Sequence, residues 1–552
     1  MTRRRELAGG AITVALLAAL FHAPALGGGF VYDDHWTIVE NPHLQSPRNL
    51  ARLLSAEPAR AGVPDAGRPT LVATEIADRL LWGLSPRGWH AQNLAWHVGV
   101  AVLFFLALAA LTGELMLALT GAAFFAIHPL VVEPVAAINY REDLLAAFFT
   151  LAALVAIGAA RRRGEGRGRA RAAAFALLLV GGFAKENAAI APILLVLLDV
   201  HMPDGERRGR RLDLLTLLAA AAIPILWRTW AFGGLALVSH TAEIPPAHRA
   251  LSQAVPEAAW SFLSGVGQLL VPWRFSADYA ELDRPAVGWA ALAVIVSGTT
   301  LAWRARTRQP WLSLGVLGGI AAYLPTFGLL PISNLRADRY LYLPALPLSL
   351  AVATLLVRGL ARVPALRGQT FGMARSWLVL AALVLAMGLG TRQQARFWHD
   401  DLTLWTHAVR VAPGASRAWS ALAEARLRRG LLPGARTAVE RSLSLADDPH
   451  AHELHGIVLM EDGDLAGAHR ALELALAGAE LHHRPEWLNN LGVCELRLGR
   501  RDAALARFAE ARRLAPLYES PWLNAARTLQ EKGDAEGARR LLQTRPHGAD
   551  GP

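Results

Sequence analysis

Apolar residues in this chain gather into long runs as far as residue 391, and the pattern then gives way to a repeat. The runs lie near 10–27, 93–111, 114–129, 143–160, 172–184, 186–200, 212–229, 286–303, 311–331, 341–357 and 376–391. They predict eleven membrane helices. Several are shorter than the ~20 residues that cross a bilayer at ~1.5 Å per residue, so tilted or protein-buried helices are expected among them. A further run at 259–272 reads as an interfacial or re-entrant helix. Arginine clusters punctuate the runs at Arg3–Arg5, Arg161–Arg171, Arg207–Arg211, Arg304–Arg308 and Arg358–Arg375. Alternating eleven spans from an inside N-terminus puts all five clusters on the cytoplasmic side. The same parity places the first loop, 28–92, and everything after the last span outside. The first run reads as a retained signal anchor, since ten more apolar runs follow it.

Beyond residue 414 glycines recur at Gly430, Gly463, Gly499 and Gly533, and each is followed five residues later by an alanine: Ala435, Ala468, Ala504 and Ala538. This is the tetratricopeptide pattern of two helices around a tight turn. Glycine permits the helix-ending turn, and alanine lets the two helices approach closely. The unit 485–516 is nearly complete, with Leu491, Gly492, Ala504, Phe508, Ala511 and Pro516 in place. Residues Phe397–Pro413 read as a partial unit. The expected fold class is all-α: a polytopic membrane domain, 1–395, followed by a soluble solenoid of about four repeats, 396–545. A disordered tail, 546–552, is expected after it.

Composition agrees. Hydrophobic residues are 53% of the 552, charged residues only 18%, and the mean hydropathy is +0.29, too apolar for one soluble globule. The net charge of +11 is carried by clusters between apolar runs, which a membrane explains better than a nucleic-acid groove. Only two of the 56 basic residues are lysines, Lys185 and Lys532. A single cysteine, Cys494, rules out a disulfide framework or a Cys-rich metal site.

Candidate chemistry must come from the outer loops. Asp33 and Asp34 sit side by side just past the first span, where carboxylates are costly to hold and are functional by default. One suits a general base, and the other suits a donor, acceptor or cation. The alternative is a solvated turn or a helix N-cap.

Phe30–Asp34 followed by Val39-Glu40-Asn41-Pro42 resembles the first outer loop of the transmembrane and tetratricopeptide-repeat proteins, in the GT-C superfamily of glycosyltransferases. The resemblance continues through Arg68-Pro69, Trp89 to His97, Phe125 to Glu133, Asn139 to Asp143, Lys185-Glu186, Pro272 with Asp278-Tyr279, and Arg336 to Tyr342. It implies transfer of a sugar, mannose in the animal members, from a polyprenyl-phosphate donor to hydroxyl groups of a protein acceptor. It also implies Asp33 as the base, with Asp34 binding the acceptor or ordering the loop. The departing phosphate then needs cations. Arg336 and Arg339 suit it, because a guanidinium fork matches phosphate oxygens; a salt bridge with Asp338 or interfacial snorkelling is the alternative.

Lys185 is either a phosphate ligand or an ion-pair partner of Glu186. Glu133 is either a second acid near the acceptor, part of a divalent-metal site with Asp33 or Asp34, or a helix cap. Arg141 is a further phosphate candidate, while Glu142 and Asp143 read as helix-dipole partners in the first turn. His90, His97 and His128 lack metal spacing and read as packed residues. No resident cofactor is implied, and metal dependence stays open. The repeats are expected to bind the protein acceptor. A bacterial inner membrane with a periplasmic active face is the expected location, or a lumenal face of the endoplasmic reticulum in a eukaryote. Two other readings are a non-catalytic, membrane-anchored repeat scaffold and a ligase or transporter of lipid-linked saccharide. A transporter should carry its polar groups at mid-membrane, and here they gather at outer ends.

Overall fold

A computed structural model describes residues 2–202, 207–233, 251–280, 282, 284–327, 334, 336–362, 371–479 and 483–545. The expected tail and parts of the 311–331 run and of the 358–375 arginine cluster lie outside the described residues. The described residues are 82% helical and without strands, so the fold class is all-α. They form two compact units, 1–277 with 281–404 and 278–280 with 405–552.

The first unit holds helices α1 (Thr2–His22), α2 (Glu57–Arg60), α3 (Pro69–Trp82), α4 (Pro86–Thr112), α5 (Leu115–Ala126), α6 (Val132–Ala136), α7 (Arg141–Arg163), α8 (Arg167–Ala184), α9 (Ala191–His201), α10 (Arg207–Phe232), α11 (Leu251–Leu270), α12 (Pro285–Ala305), α13 (Pro310–Tyr323), α14 (Tyr342–Leu360) and α15 (Phe371–Phe397). Seven stretches among the described residues are long and apolar enough to cross a membrane, those built on α1, α4, α7, α10, α12, α14 and α15. An eighth is formed if α5 and the stretch Pro129–Ala136, bent 52° from it, count as one. The runs predict eleven. Those at 172–184, 186–200 and 311–331 become α8, α9 and α13, of 18, 11 and 14 residues. The 259–272 run belongs to α11, which is not among the crossing helices.

Contacts at the helix ends show where the short helices run. At one end of α7, Asp143 bonds Lys185, the residue after α8, at 2.7 Å. At the other end Arg161 pairs with Asp199 of α9 and, at 2.7 Å, with Asp213 of α10. Arg171, near the start of α8, shares Asp213 at 2.7 Å. Hence α8 runs from one end of α7 to the other, and the chain from Lys185 through the 3-10 turn Glu186–Ile190 and α9 returns toward the Arg161 end. Close approach makes this packing possible: a Cβ on Gly315 of α13 would lie 2.6 Å from the Pro347 carbonyl oxygen of α14, the contact small residues permit between membrane helices.

The second unit is four helix pairs: α17 (Ser416–Arg428) with α18 (Leu432–Leu445), α19 (Pro449–Glu461) with α20 (Leu465–Ala477), α21 (Arg484–Arg497) with α22 (Arg501–Leu514), and α23 (Glu519–Glu531) with α24 (Ala535–Gln543). The partial unit contributes a single helix, α16 (Asp401–Val411), whose first turn, 401–404, belongs to the first unit. Gly430, Gly463, Gly499 and Gly533 turn between the helices of each pair at φ between 69° and 87°, the region glycine enters freely. The four alanines that follow them are fully buried.

Candidate functional site

The turn carrying the paired acids is fixed from several sides. Tyr32 takes φ 56°, a conformation that costs an aromatic residue ~1–3 kcal/mol. Its N–H donates to Asp401 Oδ1 at 2.9 Å, and His35 Nε2 lies 2.7 Å from Asp401 Oδ2. Asp34 is fully buried. It accepts the backbone N–H groups of Asn139, Val31 and Ile138 at 2.8, 3.1 and 3.4 Å. Burial pushes its carboxyl up to about 7, and those amides pull the other way. Asp34 thus ties the loop to the segment before α7. Asp33 instead borders a cavity and accepts the Tyr140 hydroxyl at 2.8 Å.

That cavity encloses about 60 Å³ and is bordered by Asp33, Arg68, Tyr140, Lys185, Arg339 and Tyr340 among others, room for a few water molecules. Three cations converge on it, each braced by acids. Lys185 Nζ lies 2.7 Å from Asp143 and 3.2 Å from Glu142. Burial alone would lower its ammonium, but the carboxylates of Asp143 and Glu142 outweigh burial and leave it above its ordinary value. Arg68 reaches Glu142 at 2.9 Å and Asp65 at 3.0 Å. The Arg339 guanidinium lies 4.1 Å from the centre of the Tyr140 ring and pairs with Glu133 at 2.6 Å. Glu133 also accepts the Arg339 backbone N–H at 2.8 Å. A chain of contacts therefore runs Glu133–Arg339–Tyr140–Asp33.

The sequence candidates divide accordingly. Asp33, Lys185 and Arg339 border the cavity. Glu133 stands behind Arg339, and Asp34 behind the loop. Arg141 does not reach it. Its guanidinium is fully buried, donating to Asp78 and Asn93 at 2.6 Å each and to Thr74 at 3.2 Å, so it pins α3 and α4 to α7. Arg336 donates to Ser264 of α11 at 2.8 Å and is not part of the cavity wall. The partner of Lys185 is Asp143 with Glu142, where sequence proximity favours Glu186. The partner of Arg339 is Glu133, where proximity favours Asp338. Glu142 and Asp143 are buried ion-pair partners as well as first-turn acids.

Among the wall residues that escape the sequence reading as site residues are Arg68 and Tyr140. Both lie inside the motifs Arg68-Pro69 and Asn139–Asp143, and that membership was the available signal. His97 bonds the Tyr342 hydroxyl at 2.8 Å and the Ala126 carbonyl at 3.0 Å, and His128 Nε2 bonds the Leu269 carbonyl at 3.0 Å. His90 Nε2 lies 3.2 Å from the Gly29 carbonyl. Among the described residues no group of three His, Cys or acidic side chains is arranged to hold a metal.

No protein-family model matches the chain. It is 31% identical over 210 residues to protein O-mannosyl-transferase Tmtc1 of Drosophila melanogaster, covering 37% of this chain and 24% of that protein. It is 25% identical over 399 residues to human protein O-mannosyl-transferase TMTC4, covering 60% of this chain and 53% of that protein. The matched stretch is thus about half, or less, of each relative. Among solved structures, the apo oligosaccharyltransferase of Archaeoglobus fulgidus aligns with 70% of this chain and 56% of its own, with a TM-score of 0.38 and 14% identity. MamA aligns with 28% of this chain and 90% of its own, with a TM-score of 0.24 and 15% identity. In sequence, then, the chain is similar over part of its length to the transmembrane and tetratricopeptide-repeat proteins named protein O-mannosyl-transferases, the resemblance its motifs carry.

Proposed function

We propose that this chain is an integral-membrane, inverting glycosyltransferase that moves a sugar from a polyprenyl phosphate to serine or threonine hydroxyls of proteins on the outer face of the membrane. Mannose is the sugar the relatives' names favour. One observation carries the reading: Asp33, Lys185 and Arg339, far apart in sequence, border a single cavity. In the reaction, an acceptor hydroxyl oxygen attacks the anomeric carbon as Asp33 takes its proton. The bond from that carbon to the phosphate oxygen breaks, and the polyprenyl phosphate leaves with the bonding pair. A single displacement inverts the anomeric centre. Tyr140 occupies Asp33 Oδ2 and aims the carboxylate, and Lys185 and Arg339 face the phosphate as its charge develops. Donor binding must widen the cavity, since the space present has room for only a few waters. Asp34 holds the loop. The repeat unit binds the acceptor polypeptide and, being tethered to the membrane unit, raises its effective concentration.

The test uses purified full-length chain in lipid nanodiscs, radiolabelled polyprenyl-phosphate mannose and a serine- and threonine-rich peptide. Label should enter the peptide, and the product linkage should have the anomeric configuration opposite to the donor's. Label entering only a glycan acceptor would make the chain a saccharide ligase. Donor binding without transfer to any acceptor would leave the scaffold reading standing instead.

A further inference from the structure

At the end of α7 away from Asp33 the first unit holds a second cavity of different character. It encloses about 170 Å³ between α4, α7, α9, α13 and α14, and every residue bordering it is apolar or glycine except Arg162. On α7 the border residues Leu151, Leu154, Val155, Gly158 and Arg162 recur every three or four positions and make one stripe. From Leu151 to Arg162 that stripe is about 16 Å long at ~1.5 Å per residue. Gly158 leaves the stripe open: a Cβ there would have the Arg162 Nη1 atom as its nearest neighbour, at 3.6 Å. The guanidinium therefore folds back over the glycine to the mouth of the groove. Its neighbour Arg161 is engaged by Asp199 and Asp213. Arg162 is exposed and has no carboxylate partner among the described residues.

We propose that this groove binds one acyl chain of an anionic phospholipid from the leaflet opposite the Asp33 site, with the lipid phosphate on the Arg162 guanidinium. An apolar slot ending in an exposed guanidinium complements a chain joined to a phosphate, and the guanidinium fork matches phosphate oxygens. The sugar donor is the wrong occupant, because α7 is about 34 Å long at ~1.5 Å per residue. One lipid phosphate cannot meet both Arg162 and the cations around Asp33. The inference does not depend on the catalytic reading.

The experiment reconstitutes the full chain in phosphatidylcholine nanodiscs carrying a trace of photoactivatable phosphatidylglycerol and maps the crosslinked peptides. Label is expected on the stripes of α4, α7 and α9, and unlabelled phosphatidylglycerol should displace it where added phosphatidylcholine does not. Arg162→Gln should weaken binding about fivefold, the effect of one arginine at an anionic surface, and Gly158→Leu should abolish the label by filling the slot. Equal competition by phosphatidylcholine overturns the proposal. So does displacement by polyprenyl phosphate at lower concentration than phosphatidylglycerol, or label that survives Gly158→Leu. Should Gly158→Leu fail to fold, Arg162→Gln decides alone: lost selectivity for phosphatidylglycerol supports the groove, and retained selectivity ends it.

Discussion

In the repeat unit, Gly492 of α21 lacks a side chain, and the Phe508 ring of α22 lies where one would stand. In the membrane unit, Arg141 is as fully enclosed as Phe508, yet what encloses it is a carboxylate, an amide and a hydroxyl. The two interiors run on different chemistry. Small and large apolar side chains fit each other between neighbouring helices in the repeats. At one end of the membrane unit, Asp65, Arg68, Glu142, Asp143, Lys185, Glu186 and Arg228 form a linked set of ion pairs. A shape-matched interior tolerates loss of a contact by partial collapse. An interior of paired charges does not, because removing one partner strands the other away from water. Such an arrangement suits a place where a charged substrate must be met by groups already held in position.

The largest effect that can break this contrast is on turnover. Asp33→Asn should lower transfer by about 10²–10⁴-fold, the usual range for a positioned base, and should leave the melting temperature close to that of the parent. Radiolabel transfer and thermal unfolding of the same preparation measure both. A near-normal rate would remove Asp33 from the chemistry. Arg141→Ala should act in the opposite way, destabilising the membrane unit by ~3–5 kcal/mol because Asp78 is left buried without its partner. Unchanged stability with lost donor binding would mean that Arg141 meets the donor after all.

In the repeats the expected cost is smaller. Gly492→Ala places a Cβ 2.6 Å from the Phe508 ring, so unfolding of the full chain should show the repeat transition weakened by ~1–3 kcal/mol. Transfer to a short peptide at high concentration should persist. If the short-peptide reaction falls in step with the repeat transition, the two units do not divide the work as proposed.

The last expected effect is a slope. Because burial raises the Asp34 carboxyl to about 7 in the folded chain, the folded state holds that proton more tightly than the unfolded state, whose carboxyl titrates near ~4. Its contribution to stability is therefore fully present below about 4 and is lost as pH rises through about 7. Melting temperature should fall from pH 5 to pH 8, and Asp34→Asn should flatten that fall. Parallel slopes for parent and variant would show that another group titrates.

The same contrast explains what could be read beforehand. The glycine and alanine positions of the repeats are visible in sequence because their partners lie within one repeat length. The paired acids and the order of motifs pointed to segments that meet at one cavity of the membrane unit, too. The wiring was not visible. Tyr140 meets Asp33 across 107 positions and Arg339 meets Glu133 across 206, and no periodicity encodes such distances. Arg141 and Lys185 both sit beside acids at the start of a membrane segment, so their residue types could not show that one pins helices while the other borders a cavity. Helix length misled for a related reason. Helices packed against protein need not match the hydrocarbon thickness, and the apolar run at 186–200 holds an α-helix of only 11 residues, α9.

Asp401 has a consequence for the order in which the chain is made. It lies 369 positions after Tyr32, and it grips both Tyr32 and His35 in the turn that aims Asp33. At ~5–20 residues per second, that grip becomes available only about 20–75 s after the turn has left the ribosome. Until then nothing from residue 401 holds Tyr32 at its unfavourable φ. The loop beside the acids matures well after it is synthesised, so a nascent chain that stops short of Asp401 carries Asp33 without the hold that aims it.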